Sequence, residues 1–287
     1  MYSRNGSFAV AFMVVFIFLA AEAGNAADST SPDKPSVSAK PTSTVTYTVV
    51  ATGLAGPRGL VFGPSGELYV VEQSGGSIAK VTLDTLDTRV TRIAKGFSDP
   101  HDLAIDAKGN LYVADSAANR VAQISPAGVV TTYISAVEFP VDLDFNPQGE
   151  LLVCELYRGR VVAFKGREMA RVIASGLQWP HGLAFGRFGE VFINENTGNR
   201  IIKVSSDGKV QRIAEVERPV GLVLGRSGDF YVAQPRVGKV SKIKPDGTRI
   251  TLLEGLREPR DPAFDAAGNL YVAETRTGRI LKLSGNY

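Results

Sequence analysis

Cysteine, histidine and tryptophan are scarce in this chain: one, two and one among 287 residues. A single Cys154 cannot form an internal disulfide, so the chain must hold itself together by packing. It lies in the apolar stretch LLVC with no identifiable base nearby, the setting of an inert buried thiol. Long Lys/Arg blocks are missing and the net charge is only +3, which leaves little electrostatic footprint for nucleic acid. No Gly-x-Ser-x-Gly elbow, His-Glu-x-x-His or phosphate loop occurs. What remains for chemistry is metal-assisted catalysis, or none beyond binding.

With 44% hydrophobic and 21% charged residues, the composition is that of an ordinary globular protein. The start differs. Arg4 precedes an apolar run from Phe8 to Ala21, followed by AEAGNAAD, whose small residues sit at signal-peptidase spacing. The run falls short of the roughly 20 residues a membrane-spanning helix needs. Residues 1–26 are therefore expected to be a signal peptide, giving a secreted or periplasmic protein with no stable membrane insertion after cleavage. Residues 27–44, rich in Ser, Thr, Pro and Lys, read as a flexible linker. Residues 45–287 remain for the folded domain.

That domain is a repeat. PRGLVFGPSGELYVVE (from Pro57), PHDLAIDAKGNLYVAD (Pro100), PVDLDFNPQGELLVCE (Pro140), PHGLAFGRFGEVFINE (Pro180), PVGLVLGRSGDFYVAQ (Pro219) and PRDPAFDAAGNLYVAE (Pro259) align at intervals of 39 to 43 residues. Each unit has a short apolar strand after the proline, a tight turn ending in glycine, and a second strand of the LYVA type. A polar loop and two further strands follow. Four antiparallel strands in about 40 residues is the period of a propeller blade. The sixth unit stops after its third strand, and TVTYTVVATG upstream of Pro57 matches the missing fourth. The expectation is an all-β, six-bladed β-propeller of four-stranded antiparallel blades, closed by the N-terminal strand, and monomeric.

These units resemble NHL repeats in their Pro, Gly-Asn or Gly-Glu, LYVAD and Asn-Arg-Ile-type elements. The resemblance covers about residues 45 to 287 and implies the fold. It leaves function open: NHL-type propellers include protein- and RNA-binding platforms. Related six-bladed propellers include gluconolactonase-like hydrolases, strictosidine synthase-like enzymes and the peptide-amidating lyase.

Propeller geometry brings the residues after each proline and after each LYVA to one end of the central channel. The first post-proline position holds Arg58, His101, Val141, His181, Val220 and Arg260; the next includes Asp102, Asp142 and Asp261. The second strands close on Glu72, Asp115, Glu155, Glu195, Gln234 and Glu274, five acids of six, which also suit pairing with the basic residue opening the third strand. Both histidines of the chain share one repeat position, in blades 2 and 4. Imidazole is a common ligand for a divalent metal such as Zn, with Asp102, Asp142 or water completing the shell. The lyase resemblance implies His101 and His181 as metal ligands, but Arg260 stands where the third histidine would be. The gluconolactonase-like resemblance implies instead a Ca-type ion among oxygens such as those of Glu72, Asp102, Asp142 and Asp261. Arg58 and Arg260, on adjacent blades, suit an anionic group or else pair with Glu72 and Glu274. Phe139, Tyr157 and Trp179 offer an apolar wall.

Two readings follow. In one, the chain is a hydrolase (lactonase or esterase kind) or lyase on a small molecule, with His101 and His181 as metal ligands. Asp102, Asp142, Arg58 and Arg260 are then catalytic, while Trp179, Tyr157, Phe139, Glu72, Glu155, Glu195 and Asp261 contact substrate. In the other, it is a non-enzymatic propeller that binds a peptide, protein or cell-wall ligand.

Overall fold

The computed structural model describes residues 45–83 and 88–287. The expected signal peptide and linker lie outside the described residues. Six four-stranded antiparallel sheets succeed one another along the chain. Their inner strands are Pro57–Phe62, Pro100–Ile105, Pro140–Phe145, Pro180–Phe185, Leu222–Leu224 and Pro259–Phe264, in blades 1 to 6. Thr46–Ala51 pairs antiparallel with Arg279–Ser284, from Thr46 opposite Ser284 to Ala51 opposite Ile280. The chain's first strand thus completes its last blade and closes the ring.

The second strands explain why LYVA reads as a continuous apolar run instead of alternating. Leu111–Asp115 is buried at every residue, as are Leu151–Glu155, Phe230–Gln234 and Leu270–Glu274. Neighbouring blades cover both faces of each strand, so neither face is free to be polar. Between blades 3 and 4, for example, Leu152, Val161, Leu183 and Ile202 form one apolar cluster. The hairpin turns follow from local chemistry. Asp106 Oδ1 accepts from the N–H groups of Lys108 and Asn110 at 2.9 and 2.8 Å, and Gly109 then takes φ of +80°.

Blade 5 departs from the repeat. Its inner strand begins at Leu222, three residues after Pro219, where the other five begin at the proline itself. The carbonyls of Val220 and Gly221 also accept from Asn194 Nδ2 of blade 4, at 3.1 and 3.2 Å, while Gly221 keeps its bond from the Ala233 N–H.

Closure also rests on one glycine. Gly278 has φ of +65°, its carbonyl accepts from the Leu54 N–H at 3.0 Å, and an added Cβ would lie 2.5 Å from the Leu54 carbonyl oxygen. Asn119 and Asn199 occupy the same place in blades 2 and 4, at φ of 51° and 52°. Gly278→Ala is accordingly expected to cost about 1–2 kcal/mol in denaturant unfolding, and Gly278→Asn less. Equal costs would show that the left-handed backbone does not discriminate here.

Candidate functional site

The channel mouth is built from the two positions that flank the proline of each repeat. The residue before each proline takes positive φ in all six: Gly56 (67°), Asp99 (59°), Phe139 (45°), Trp179 (54°), Arg218 (44°) and Glu258 (64°). Five of these carry side chains that the left-handed region disfavours. In blades 1 to 4 and 6, the carbonyl at this position accepts the N–H of the loop after the second strand, as Ser116 N–H does to Asp99 at 3.2 Å. The bent backbone turns the chain from that loop contact into the inner strand.

The position after the proline supplies the lining. Arg58, His101, Val141, His181, Val220 and Arg260 surround a cavity of about 20 Å³ on the axis, room for about one water-sized group. Arg58 Nη1 lies 3.1 Å from His101 Nδ1 and 2.8 Å from Nε2, while Asp99 Oδ2 lies 3.2 Å from Nε2. A guanidinium N–H needs a lone pair and a carboxylate needs an N–H. Nε2–H donating to Asp99 leaves Nδ1 to accept from Arg58 at 3.1 Å, the tautomer we assign, and the 2.8 Å approach of Arg58 to Nε2 is then a contact and not a hydrogen bond. Burial, with the Arg58 and Arg260 charges added, holds His101 down to about 4 despite the opposing pull of Asp99. The His101 hydrogen bond, with Gln73 also donating, holds Asp99 down to about 2. His181 stacks on His101, centroids 6.2 Å apart and planes within 12°. Burial and the neighbouring charges depress it well below the ordinary imidazole range. Both rings are therefore neutral at pH 7.

Arg58 and Arg260 do not pair with Glu72 and Glu274. Arg260 pairs with Glu258, which also takes Arg276 at 3.0 Å. Burial and the Arg260 charge pull Arg58 down to about 10, so it stays cationic at neutral pH. The Nε atoms of Arg58 and Arg260 are both buried without an acceptor.

Beneath this layer, Asp102, Asp142 and Asp261 face the channel, between the mouth and a chamber of about 400 Å³. Each has a partner that no within-blade pattern reveals, a backbone N–H on the next blade. Asp102 accepts from Leu143 at 3.4 Å, Asp261 from Leu60 at 3.1 Å, and Asp142 from Leu183. Gly59 is part of the same packing, because a Cβ there would lie 2.2 Å from Asp102 Oδ1. Burial raises Asp102 to about 7 and lifts Asp142 and Asp261 well above the carboxylate range, with mutual repulsion adding.

The acids that close the second strands are not part of the mouth. Glu72, Glu155 and Glu195 have no exposed surface. Their Oε1 atoms accept the N–H groups of Ala55, Glu138 and Gln178 at 2.9, 2.7 and 2.7 Å. Their other oxygens take Ser77, Arg160 and Arg200. They latch strands together and have no oxygen to offer a substrate. Phe139 and Tyr157 do reach the rim, and Trp179 holds the matching pre-proline place in blade 4. Phe139 packs on His101 with centroids 5.8 Å apart and on Tyr157 at 4.5 Å, and Tyr157 and Trp179 are half exposed.

The histidine pair does not suit a divalent ion. Both ring nitrogens of His101 lie against a guanidinium, a cation would meet two arginines there, and among the described residues no three His, Cys, Asp or Glu side chains converge on a metal position. Asp99, Glu258 and Gln73 are the site residues that sequence reasoning missed. The pre-proline column, read across all six units, carries the signal for the first two.

Residues 97–124 match the NHL repeat model, and no curated protein matches the chain in sequence. Among solved structures, the chain is similar to virginiamycin B lyase from Staphylococcus aureus, at 16% identity and TM-score 0.63, over 84% of this chain and 99% of that one. It is similar to a gluconolactonase from Xanthomonas campestris, at 16% identity and TM-score 0.72, over 83% and 89%. The calcium-binding protein regucalcin from Agrobacterium tumefaciens matches at 18% identity and TM-score 0.68, over 83% and 95%. These likenesses show the six-bladed fold.

Proposed function

We propose that the chain is an exported enzyme of the hydrolase or lyase kind, acting on a small molecule at the channel mouth. The observation that carries this reading is the Arg58–His101–Asp99 chain: a neutral imidazole, oriented by a carboxylate and set beside a guanidinium. That is the arrangement of a general base with its orienting partner and an electrophilic neighbour. His101 Nδ1 takes a proton from water or from a substrate carbon once Arg58 turns toward the substrate. Arg58 and Arg260 then stabilise the negative charge that develops. A catalytically inactive histidine-to-alanine variant is known for the similar virginiamycin B lyase, which supports looking to histidine here. Although one neighbour binds calcium, no step is assigned to a metal, since the mouth's donors do not fit one.

The test is a panel of carboxylic esters, lactones and substrates prone to β-elimination. The native protein is expected to turn over at least one of them, in chelator as well as without it, and His101→Ala/His181→Ala none. A silent native protein, or an equally active double variant, would overturn the proposal. So would near-stoichiometric metal that the double variant loses.

A further inference from the structure

We infer that the mouth takes a carboxylate with an apolar body, its head at Arg58 and Arg260 and its body toward Phe139, Tyr157 and Trp179. This rests on reading the mouth as the binding site and adds the class of molecule. Among the described residues, three buried side-chain polar atoms have no hydrogen-bond partner, and two of them are Arg58 Nε and Arg260 Nε. Leaving one such donor unpaired and buried is costly, and most native structures avoid it. Two, on arginines of adjacent blades that both line one cavity, call for a ligand that brings acceptor oxygens with negative charge once the guanidinium groups turn to it. Asp99 and Glu258 balance the arginine charges, but they are engaged by His101 and Gln73 and by Arg260 and Arg276, and neither reaches the Nε donors.

Size and polarity narrow the class. A cavity of about 20 Å³ admits a head group and not a molecule, so the rest of the ligand lies across the rim. Val141 of blade 3 lies across the cavity from Arg260, Val220 lies beside it, and the rim above blade 3 is aromatic, with Phe139 packed on Tyr157. Trp179 is 48% and Tyr157 60% exposed, a surface with no protein partner. A cavity of that size admits a two-oxygen carboxylate more readily than a four-oxygen phosphate.

Trp179 is the chain's one tryptophan, so its emission reports on the mouth alone. Titration with phenylacetate is expected to change that emission saturably and to raise the melting temperature. Acetate should bind more weakly, and inorganic phosphate and phenethylamine should give no saturable change. Arg58→Lys and Arg260→Lys, which remove the Nε donors but keep the charge, should each weaken phenylacetate about tenfold or more, while Arg171→Lys, a distant surface change, should not. Phenethylamine or phosphate binding as tightly as phenylacetate, or arginine variants that fold with unchanged affinity, would overturn the inference. If those variants do not fold, the native series of four ligands decides. Because binding is read without turnover, phenylacetate binding with a silent enzyme panel upholds this inference and overturns only the catalytic reading. Turnover with no preference for carboxylates does the reverse.

Discussion

His101→Ala lowers kcat/KM by ~10²–10⁴ on any substrate the protein turns over, the range expected when a positioned general base is lost. His181→Ala is expected to cost less, because among the described residues no carboxylate holds that ring as Asp99 holds His101. An equal or larger loss at His181 would transfer the role to it. The pH profile makes the stronger test, because a merely structural histidine does not move it. His101 is held down to about 4 in the free protein, so kcat/KM should be flat across neutral pH and fall below about pH 4. Two contributions to that depression are the charges of Arg58 and Arg260. An anionic substrate offsets both and leaves the larger burial contribution in place. The acid limb of kcat, which reports the enzyme–substrate complex, should therefore lie at higher pH than the limb of kcat/KM. Asp99→Asn removes an interaction that favours the protonated ring, so it should move both limbs to lower pH while reducing kcat. Coincident limbs, or an Asp99→Asn limb moved upward, would contradict the assignment.

The fold was legible because each blade repeats the same chemistry: a proline, an apolar strand, a turn glycine with φ near +80°, and a doubly covered second strand. Six copies average away local ambiguity, and the incomplete sixth unit disclosed the circular closure. The site was half legible. Equivalent repeat positions must converge on the axis, so Arg58, His101, His181 and Arg260 could be placed together from their position alone. Which neighbour each would choose could not. Arg260 turned to Glu258, two residues before it, not to Glu274, because the left-handed backbone at the pre-proline position brings that side chain over the mouth. Arg58 met His101 across a blade boundary, where sequence separation says nothing about distance. The same holds for the inner acids Asp102, Asp142 and Asp261. Their partners are backbone groups of the next blade, invisible to any within-repeat comparison.

Glu155→Ala should destabilise the fold by ~3–5 kcal/mol, the cost of breaking one member of a buried charge pair, out of a total that for most domains is only about 5–15 kcal/mol. Glu155 has no exposed surface, accepts the Glu138 N–H at 2.7 Å and pairs with Arg160. Alanine leaves a backbone donor and a largely enclosed guanidinium without partners, and a void where the side chain stood. Glu155→Gln preserves an acceptor for Glu138 and should cost less. Blade 5 shows what a neutral latch requires: Gln234 donates to the Glu217 carbonyl at 2.9 Å and accepts from the Ser241 hydroxyl at 2.7 Å, while Lys239 turns to Glu254 at 4.0 Å. Blade 3 has Val162 and Arg160 in the places of Ser241 and Lys239, so glutamine there lacks the hydroxyl that completes the latch. A double-mutant cycle with Arg160→Ala should then show the losses to be less than additive, since removing both partners leaves no unpaired charge. Denaturant unfolding measures the cost, and a loss under about 1 kcal/mol would remove Glu155 from the architecture. Phenylacetate affinity measured on the folded fraction separates latch from substrate contact. A latch leaves it unchanged, whereas a residue that touched the ligand would weaken it in the same step.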